Sequence, residues 1–253
     1  MSFLDVRAVT KVFGTPPNTT QTLDGVDLNV EQGKITSVIG PSGCGKSTLL
    51  YMIAGLIPPT SGEIRVGGSV MSRPDPRIGI VFQEFRIFPW LTVRDNVTFG
   101  LKLARPRSDK HVEIADRYIG MVGLKGFEDH YPKQLSGGMK QRVAIAQTFA
   151  CDPELVLMDE PLGSVDALTR EVLQQEILNI WSQSGKTIVL VTHSIEEAIF
   201  LGHQVVVMSP RPTKILKTFD VLLPFPRTTE MRGDPAVARL RMQIWDLLKG
   251  AAA

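Results

Sequence analysis

The run ITSVIGPSGCGKSTLLYMIA, residues 35–54, decides the architecture. Residues 35–39 read as a strand. Gly40-Pro41-Ser42-Gly43-Cys44-Gly45-Lys46-Ser47 then fits the pattern GxxxxGK[ST], and residues 46–54 read as a helix that buries Leu49, Leu50, Met52 and Ile53 before Gly55 and Pro58-Pro59 end it. Strand, glycine-rich loop and helix is the context in which that pattern has a mechanism. Glycines let successive backbone N–H groups turn inward around phosphates, and the helix adds its positive end. Lys46 reaches the β and γ phosphates, and the Ser47 hydroxyl ligates Mg²⁺. Thr48 completes the expected phosphate site, and Cys44 reads as a small residue filling the loop. An ordinary glycine-rich turn has no need of a lysine directly after it.

Working outward, residues 4–9 and 23–30 read as short strands punctuated by Gly25 and Gly33, so the front of the chain is expected to be β-rich and antiparallel. Residues 78–82 read as another strand. From 92 to 150 the pattern turns helical, with Val112, Ala115, Tyr118 and Ile119 at helical spacing. Buried-type strands return at 155–158, 187–191 and 205–208, separated by helices at 168–182 and 195–202. That alternation predicts an α/β fold with a mainly parallel sheet and an inserted helical subdomain. Asp234 and Pro235 start a last helix with Val237, Leu240, Ile244, Leu247 and Leu248 on one face, expected to pack on the chain's own core. The parts are expected to divide as 1–83 and 151–210 for the core, 84–150 for the insert and 211–253 for the tail.

A chain of 253 residues with 43% hydrophobic and 21% charged residues has the material for one large domain and is too balanced for disorder. No stretch approaches the ~20 apolar residues that cross a bilayer, and Asp5 and Arg7 interrupt any leader-like run, so the chain is expected to stay in the cytosol. Cys44 and Cys151 lack disulfide or zinc spacing. A net charge of +2 without a basic stripe excludes nucleic acid as an expected partner.

Leu155 to Met158 deliver Asp159-Glu160 at a strand's carboxyl end, where ligands collect in open α/β sheets. Alone, such a pair reads as a solvated strand end. Beside a phosphate loop, Asp159 reads as a holder of Mg²⁺ through its water shell and Glu160 as the base that polarises an attacking water. His193 repeats the arrangement after residues 188–192, within reach of a γ phosphate; His111, His130 and His203 read as structural.

Leu135-Ser136-Gly137-Gly138-Met139-Lys140-Gln141 resembles the signature motif of ABC ATPases, and the other motifs then fall into that family's order over essentially the whole chain. The resemblance implies a P-loop NTPase core, ATP and Mg²⁺ as ligands, and several roles. Phe13 stacks on adenine, Gln83 senses Mg²⁺ and the attacking water, and Ser164-Val165-Asp166 contacts the opposite subunit. Ser136 with the N–H groups of Gly137 and Gly138 opens a helix and makes a second anion site, or, read plainly, a glycine helix cap. Two anion sites held apart in one chain point to a head-to-tail pair of copies sharing each ATP. The family further implies integral membrane permease subunits as partners, a periplasmic binding protein indirectly, and a place on the cytoplasmic side of the inner membrane.

Residues 84–97, with exposed-looking aromatics, are expected to help receive a permease helix, or else to pack locally. EFRIFPWLTVRDNV, LGSVDALTR and the tail resemble the nitrate, sulfonate and taurine branch of importer ATPases, and the chain stops short of the extra domain of sugar and iron importers. Gln147 stands where the family commonly has arginine, Ser164-Val165 where it has alanine and leucine, and Phe13 where it has tyrosine; none removes a catalytic group. A soluble ABC ATPase of DNA repair or translation is the main rival. A P-loop kinase or binding-only regulator is excluded by the signature.

Overall fold

In a computed structural model, which describes residues 2–104, 108–163 and 165–252, the elements run in chain order as follows. The front holds β1 (Ser2–Thr15), β2 (Asn18–Glu31), β3 (Ile35–Ile39), α1 (Lys46–Ile53), β4 (Ser61–Val66), β5 (Ser69–Val70) and β6 (Ile78–Val81). The middle holds α2 (Val93–Ala104), α3 (His111–Met121), α4 (Gly137–Ala150), β7 (Leu155–Asp159) and α5 (Ala167–Ser184). β8 (Thr187–Thr192), α6 (Ile195–Leu201), β9 (Gln204–Met208), β10 (Ile215–Asp220) and α7 (Pro235–Ala252) close the chain. Contacts divide it into one unit of Met1–Asp75 with Lys186–Ala253, and another of Pro76–Gly185.

The first unit contains an antiparallel sheet in the order β2-β1-β4-β5. Its first two strands are single long ribbons rather than the short pieces expected from residues 4–9 and 23–30. Register shifts between Ser2 and Leu4, Val6 and Val9, Val9 and Lys11, and Lys11 and Val12 are the reason for the difference, since they interrupt the alternation without ending the ladder. Val9 pairs with Val26 but Lys11 with Leu23, so β2 carries one extra residue there, and Gly25 at φ 60° absorbs it as a bulge instead of ending the strand.

The same unit builds a mixed layer in which β3 lies between β8 and β9 in parallel register, with β10 antiparallel on β9. Every residue of β3 and β8 is buried, as a strand covered on both faces requires. On one face α6 and α7 close a cluster of Ile39, Ala198, Ile199, Val205, Val207, Phe219 and Ile244. Val237, Leu240, Leu247 and Leu248 pack against it, so the apolar stripe of α7 covers the chain's own core.

His203 is structural here. Its Nδ1 accepts from Ile35 N–H at 3.0 Å and its ring stacks on Phe225. Burial, aided by Arg227 and Lys34, pulls its pKa down to about 4, so the ring stays neutral and keeps that acceptor. Arg227, 1% exposed, donates to the carbonyls of Ile199 and Phe200, both at 2.7 Å, and so closes the end of α6.

The second unit packs α2, α3 and α4 together beside the parallel pair β6 and β7. Asn96 is fully buried and clasps the segment before α2. Its amide donates to the carbonyls of Phe88, Leu91 and Thr92 and accepts from Phe88 N–H at 2.6 Å. Arg142 on α4 pairs with Glu176 on α5 at 2.9 Å; burial nevertheless pushes the Glu176 carboxyl up to about 7, because desolvation outweighs a single cation.

Candidate functional site

In the first unit Ile39 forms the last rung with Thr192 on β8 and with Val207 on β9. Gly40 and His193 therefore leave the same sheet edge on neighbouring strands, about 5 Å apart by strand spacing. The loop that follows is shaped from below. A Cβ on Gly40 would stand 3.0 Å from Cys44 Sγ and 3.1 Å from both Met208 Cβ and its carbonyl oxygen. Gly45, at φ 119°, would put a Cβ 2.7 Å from Thr22 Cγ2. Only glycine meets both the torsion and the space. The Thr213 hydroxyl donates to the Cys44 carbonyl and pins the loop's middle, and burial pushes the Cys44 thiol up.

Lys46 is 5% exposed, and its ammonium donates to the carbonyls of Gly40 at 2.9 Å and Pro41 at 3.0 Å. Gly45 caps α1 without a side-chain bond, and the first turn of α1 has no acid. Its amino end is therefore electropositive and open to an anion. Ser47 and Thr48 are half-buried on that turn, while Ser42 and Gly43 face solvent. Arg211 stands beside Gly43, 3.8 Å from where a Cβ would sit. Phe13 lies near the outer end of β1, 40% exposed, with the Lys11 ammonium 4.9 Å from its ring centroid.

His193 sits on a braced turn. The Thr192 hydroxyl donates to Glu197 Oε2 at 3.0 Å and accepts from Ser194 N–H, while the Ser194 hydroxyl accepts from Glu197 N–H and caps α6. The imidazole faces outward from a fixed backbone.

In the second unit Val81 pairs with Met158. Gln83, Asp159 and Glu160 thus share one end of the β6–β7 pair, with Asp159 2% exposed and Gln83 at the surface. Glu160 has φ 44°, a left-handed conformation that a non-glycine residue holds at a cost of about 1–3 kcal/mol. Its carbonyl accepts from Gly163 N–H at 3.1 Å, closing a tight turn around it. No motif spacing announces that strain.

The signature opens α4. Ser136 is its N-cap, with Oγ accepting from Met139 N–H at 3.3 Å, and no acid stands in the first turn. Asp166 caps α5 in the same way, accepting from Thr169 N–H at 3.0 Å, and the Thr169 hydroxyl, with that N–H second, holds its carboxyl below the usual range. A Cβ on Gly138 would stand 2.6 Å from Thr169 Cγ2, so the two capped helix starts adjoin and the glycine lets them. Gly137 is exposed beside Phe85. Ser164 lies outside the described residues.

Each unit gathers part of the expected set: Gly40 to Thr48, His193 and Phe13 in the first, and Gln83, Asp159, Glu160, Ser136, Gly137, Gly138 and Asp166 in the second. The reading of motifs passed over Met208, Thr213, Thr22 and Asn96. Met208, Thr213 and Thr22 act through contacts with glycines or distant backbone, and Asn96 bonds backbone four to eight positions earlier, so none belongs to a motif of residue types. Among the described residues no group of three or more His, Cys, Asp or Glu side chains could hold a metal by itself. No described helix is long and apolar enough to cross a membrane.

Residues 23–163 match the ABC transporter family. The taurine import ATP-binding protein of Jannaschia sp. is 42% identical, over 98% of this chain and 96% of that protein. An aliphatic sulfonates import ATP-binding protein of Bacillus cereus is 46% identical, over 89% and 88%. Among solved structures, a dimeric ATP-binding cassette in a post-hydrolysis state with ADP and phosphate superposes with a TM-score of 0.77 at 32% identity, covering 87% of this chain and all of that one. The chain belongs to the ABC transporter family, with the P-loop α/β fold of its cassettes. Within that family it is an ATP-binding subunit, an ATPase whose hydrolysis is coupled to transport.

Proposed function

We propose that two copies of this chain close head to tail on ATP and so drive import of a small anionic or zwitterionic solute such as nitrate, a sulfonate or taurine. The observation that carries this reading is the pair of acid-free helix amino ends at α1 and α4, each opened by glycine or serine beside a glycine-rich turn. Each is an anion site by backbone geometry. One phosphate chain bridging the α1 end of one copy and the α4 end of the other would hold the pair closed only while the γ phosphate lasts.

In this reading Lys46 and the loop N–H groups from Gly40 to Thr48 hold the β and γ phosphates, and Phe13 stacks on the adenine. Glu160 takes the proton of the attacking water, and Gln83 and His193 fix that water's position. Ser136 keeps its hydroxyl hydrogen free, since its oxygen is the acceptor in the cap, and that hydrogen is available to a γ oxygen of the opposite copy's nucleotide. The donor set of Ser47, Gln83 and buried Asp159 fits Mg²⁺, which takes few protein ligands and completes its shell with phosphate and water. When bound, that ion would neutralise charge on the β and γ oxygens.

The relatives named as taurine and sulfonate importers support the direction and class of solute. Partner permease subunits would hold the chain at the cytoplasmic face of the inner membrane, fed by a periplasmic binding protein. Trp90, 70% exposed and packed on Phe88, which in turn packs on Phe99, supports residues 84–97 as their docking surface. Functionally, 1–83 and 151–210 would form the nucleotide core, 84–150 the permease-facing insert and 211–253 the tail.

The test is Glu160→Gln. It is expected to lower turnover by roughly 10²-fold or more while sparing ATP binding, and to let MgATP shift the chain to a dimer on a sizing column. Adding Ser136→Arg is expected to abolish that dimer. Undiminished turnover, or a dimer that survives Ser136→Arg, defeats the shared-site reading. Reconstitution with a partner permease and binding protein, comparing ATPase stimulation by taurine, alkanesulfonates and nitrate, tests the solute.

A further inference from the structure

Beside His193 the first unit carries an open groove of about 730 Å³ between the start of α6 and one side of α7. Ile195, Met242, Trp245 and Leu248 make its walls apolar, and Lys249 stands among them. Met242 and Trp245 are 53% and 57% exposed, so α7 shows hydrophobic area on the side away from the core it covers. Arg241, also lining the groove, is engaged by Glu196 at 2.9 Å, whereas Lys249 has no ion pair among the described residues.

The second unit carries the converse surface. At the start of α5, Leu168 is 78% and Val172 49% exposed, one turn apart on the same face, with exposed Glu171 beside them. Two large apolar side chains and an acid thus stand on one copy, and an apolar groove with an unengaged cation on another. Their places in the chain match as well. Leu168 follows two residues after Asp166, the residue proposed to touch the opposite copy, and Ile195 follows two after His193, proposed at the shared γ phosphate. Val172 lies about 9 Å along the helix from Asp166.

We infer that, when ATP closes the pair, α5 of the second copy seats Leu168 and Val172 in this groove with Glu171 against Lys249. This rests on the head-to-tail reading and extends it. The contact gives the ATP-closed pair an apolar clasp beside the shared nucleotide, and it makes α7 part of the dimer rather than a passive cover of the core.

The experiment uses the full chain with Glu160→Gln, and with Trp90→Phe and Trp181→Phe so that Trp245 is the one emitting tryptophan. Expected are a blue shift of Trp245 emission that tracks MgATP-driven dimer formation, and a dimer Kd weakened tenfold or more by Leu168→Arg, a change at an exposed position. Lys249→Glu should weaken the dimer similarly, and Glu171→Lys in the same chain should recover most of the loss. A dimer that forms with unchanged emission, and with a Kd moved less than twofold by Leu168→Arg, overturns the groove contact and leaves the shared nucleotide standing. Absence of any MgATP dimer in the parent overturns the pairing itself and this contact with it. A blue shift that needs the permease and not ATP gives the groove to the membrane partner and overturns the proposal.

Discussion

Replacing Lys46 by methionine keeps the apolar stem and removes the ammonium. In the folded chain that ammonium is 5% exposed and is held by two neutral carbonyls at 2.9 and 3.0 Å. Two such bonds return about 1.5–3 kcal/mol each, which offsets the cost of taking the charge from water. Deleting charge and bonds together cancels in part: water reaches the part-buried Pro41 carbonyl, but the buried Gly40 carbonyl loses its donor at a cost of about 1–3 kcal/mol. The nucleotide-free variant should unfold within about 3 kcal/mol of the parent, at most roughly 6–12 °C for a chain of this size. With ATP the balance differs, since the same group then faces phosphate oxygens that carry formal charge. Losing two contacts of about 1.5–3 kcal/mol weakens binding by about 3–6 kcal/mol, or roughly 10²–10⁴-fold. Calorimetric titration with ATP, beside melts with and without nucleotide, reads both halves. A Kd within tenfold of the parent, or a nucleotide-free melt lowered by more than about 15 °C, refutes the argument that this lysine is poised for phosphate.

Asn96→Ala removes the clasp before α2, in which two amide hydrogens are shared among three carbonyls and the amide oxygen accepts one N–H. Counted as about three bonds at about 0.5–1.5 kcal/mol each, the loss in urea unfolding should be about 1.5–4.5 kcal/mol, and a loss under about 1 kcal/mol would show that water replaces the amide. His203, held neutral with a folded pKa of about 4, charges near 6.5 once unfolded. The unfolded chain binds the extra proton, so this contribution to stability is complete above about pH 6.5 and is lost as pH falls toward 4. An NMR titration of His203 placing its pKa at 6 or above would contradict that.

The parts of the fold most legible in the sequence are those where burial leaves a continuous apolar run or a helical period. Residues 35–39, 155–158 and 187–191 are buried throughout, and the stripe from Val237 to Leu248 repeats at helical spacing. The N-terminal ribbon is harder, because repeated register shifts along β1 and β2, the bulge at Gly25 among them, break the alternation and make long strands look like fragments. For the candidate site, the loop glycines and the acids are visible because their chemistry needs particular residue types. The supports are not. Thr213 touches a carbonyl 169 positions earlier, and Asn96 spends its amide on backbone, so neither has a spacing to read. The torsion of Glu160 is likewise invisible, since a left-handed backbone with a long acid looks like any strand end.

The underside of the phosphate loop has a consequence for how the protein is made. Gly40 leans on Met208, the Cys44 carbonyl is clamped by Thr213, and β3 finds its parallel neighbours only in β8 and β9. Synthesis proceeds from the amino end, so a nascent chain halted at residue 150 already contains every glycine of the loop and the β2 residues beside Gly45, yet lacks Met208, Thr213 and both parallel neighbours of β3. Competence to capture nucleotide should arrive late on the ribosome, in a single step, once translation has passed Thr213 and that stretch has cleared the exit tunnel.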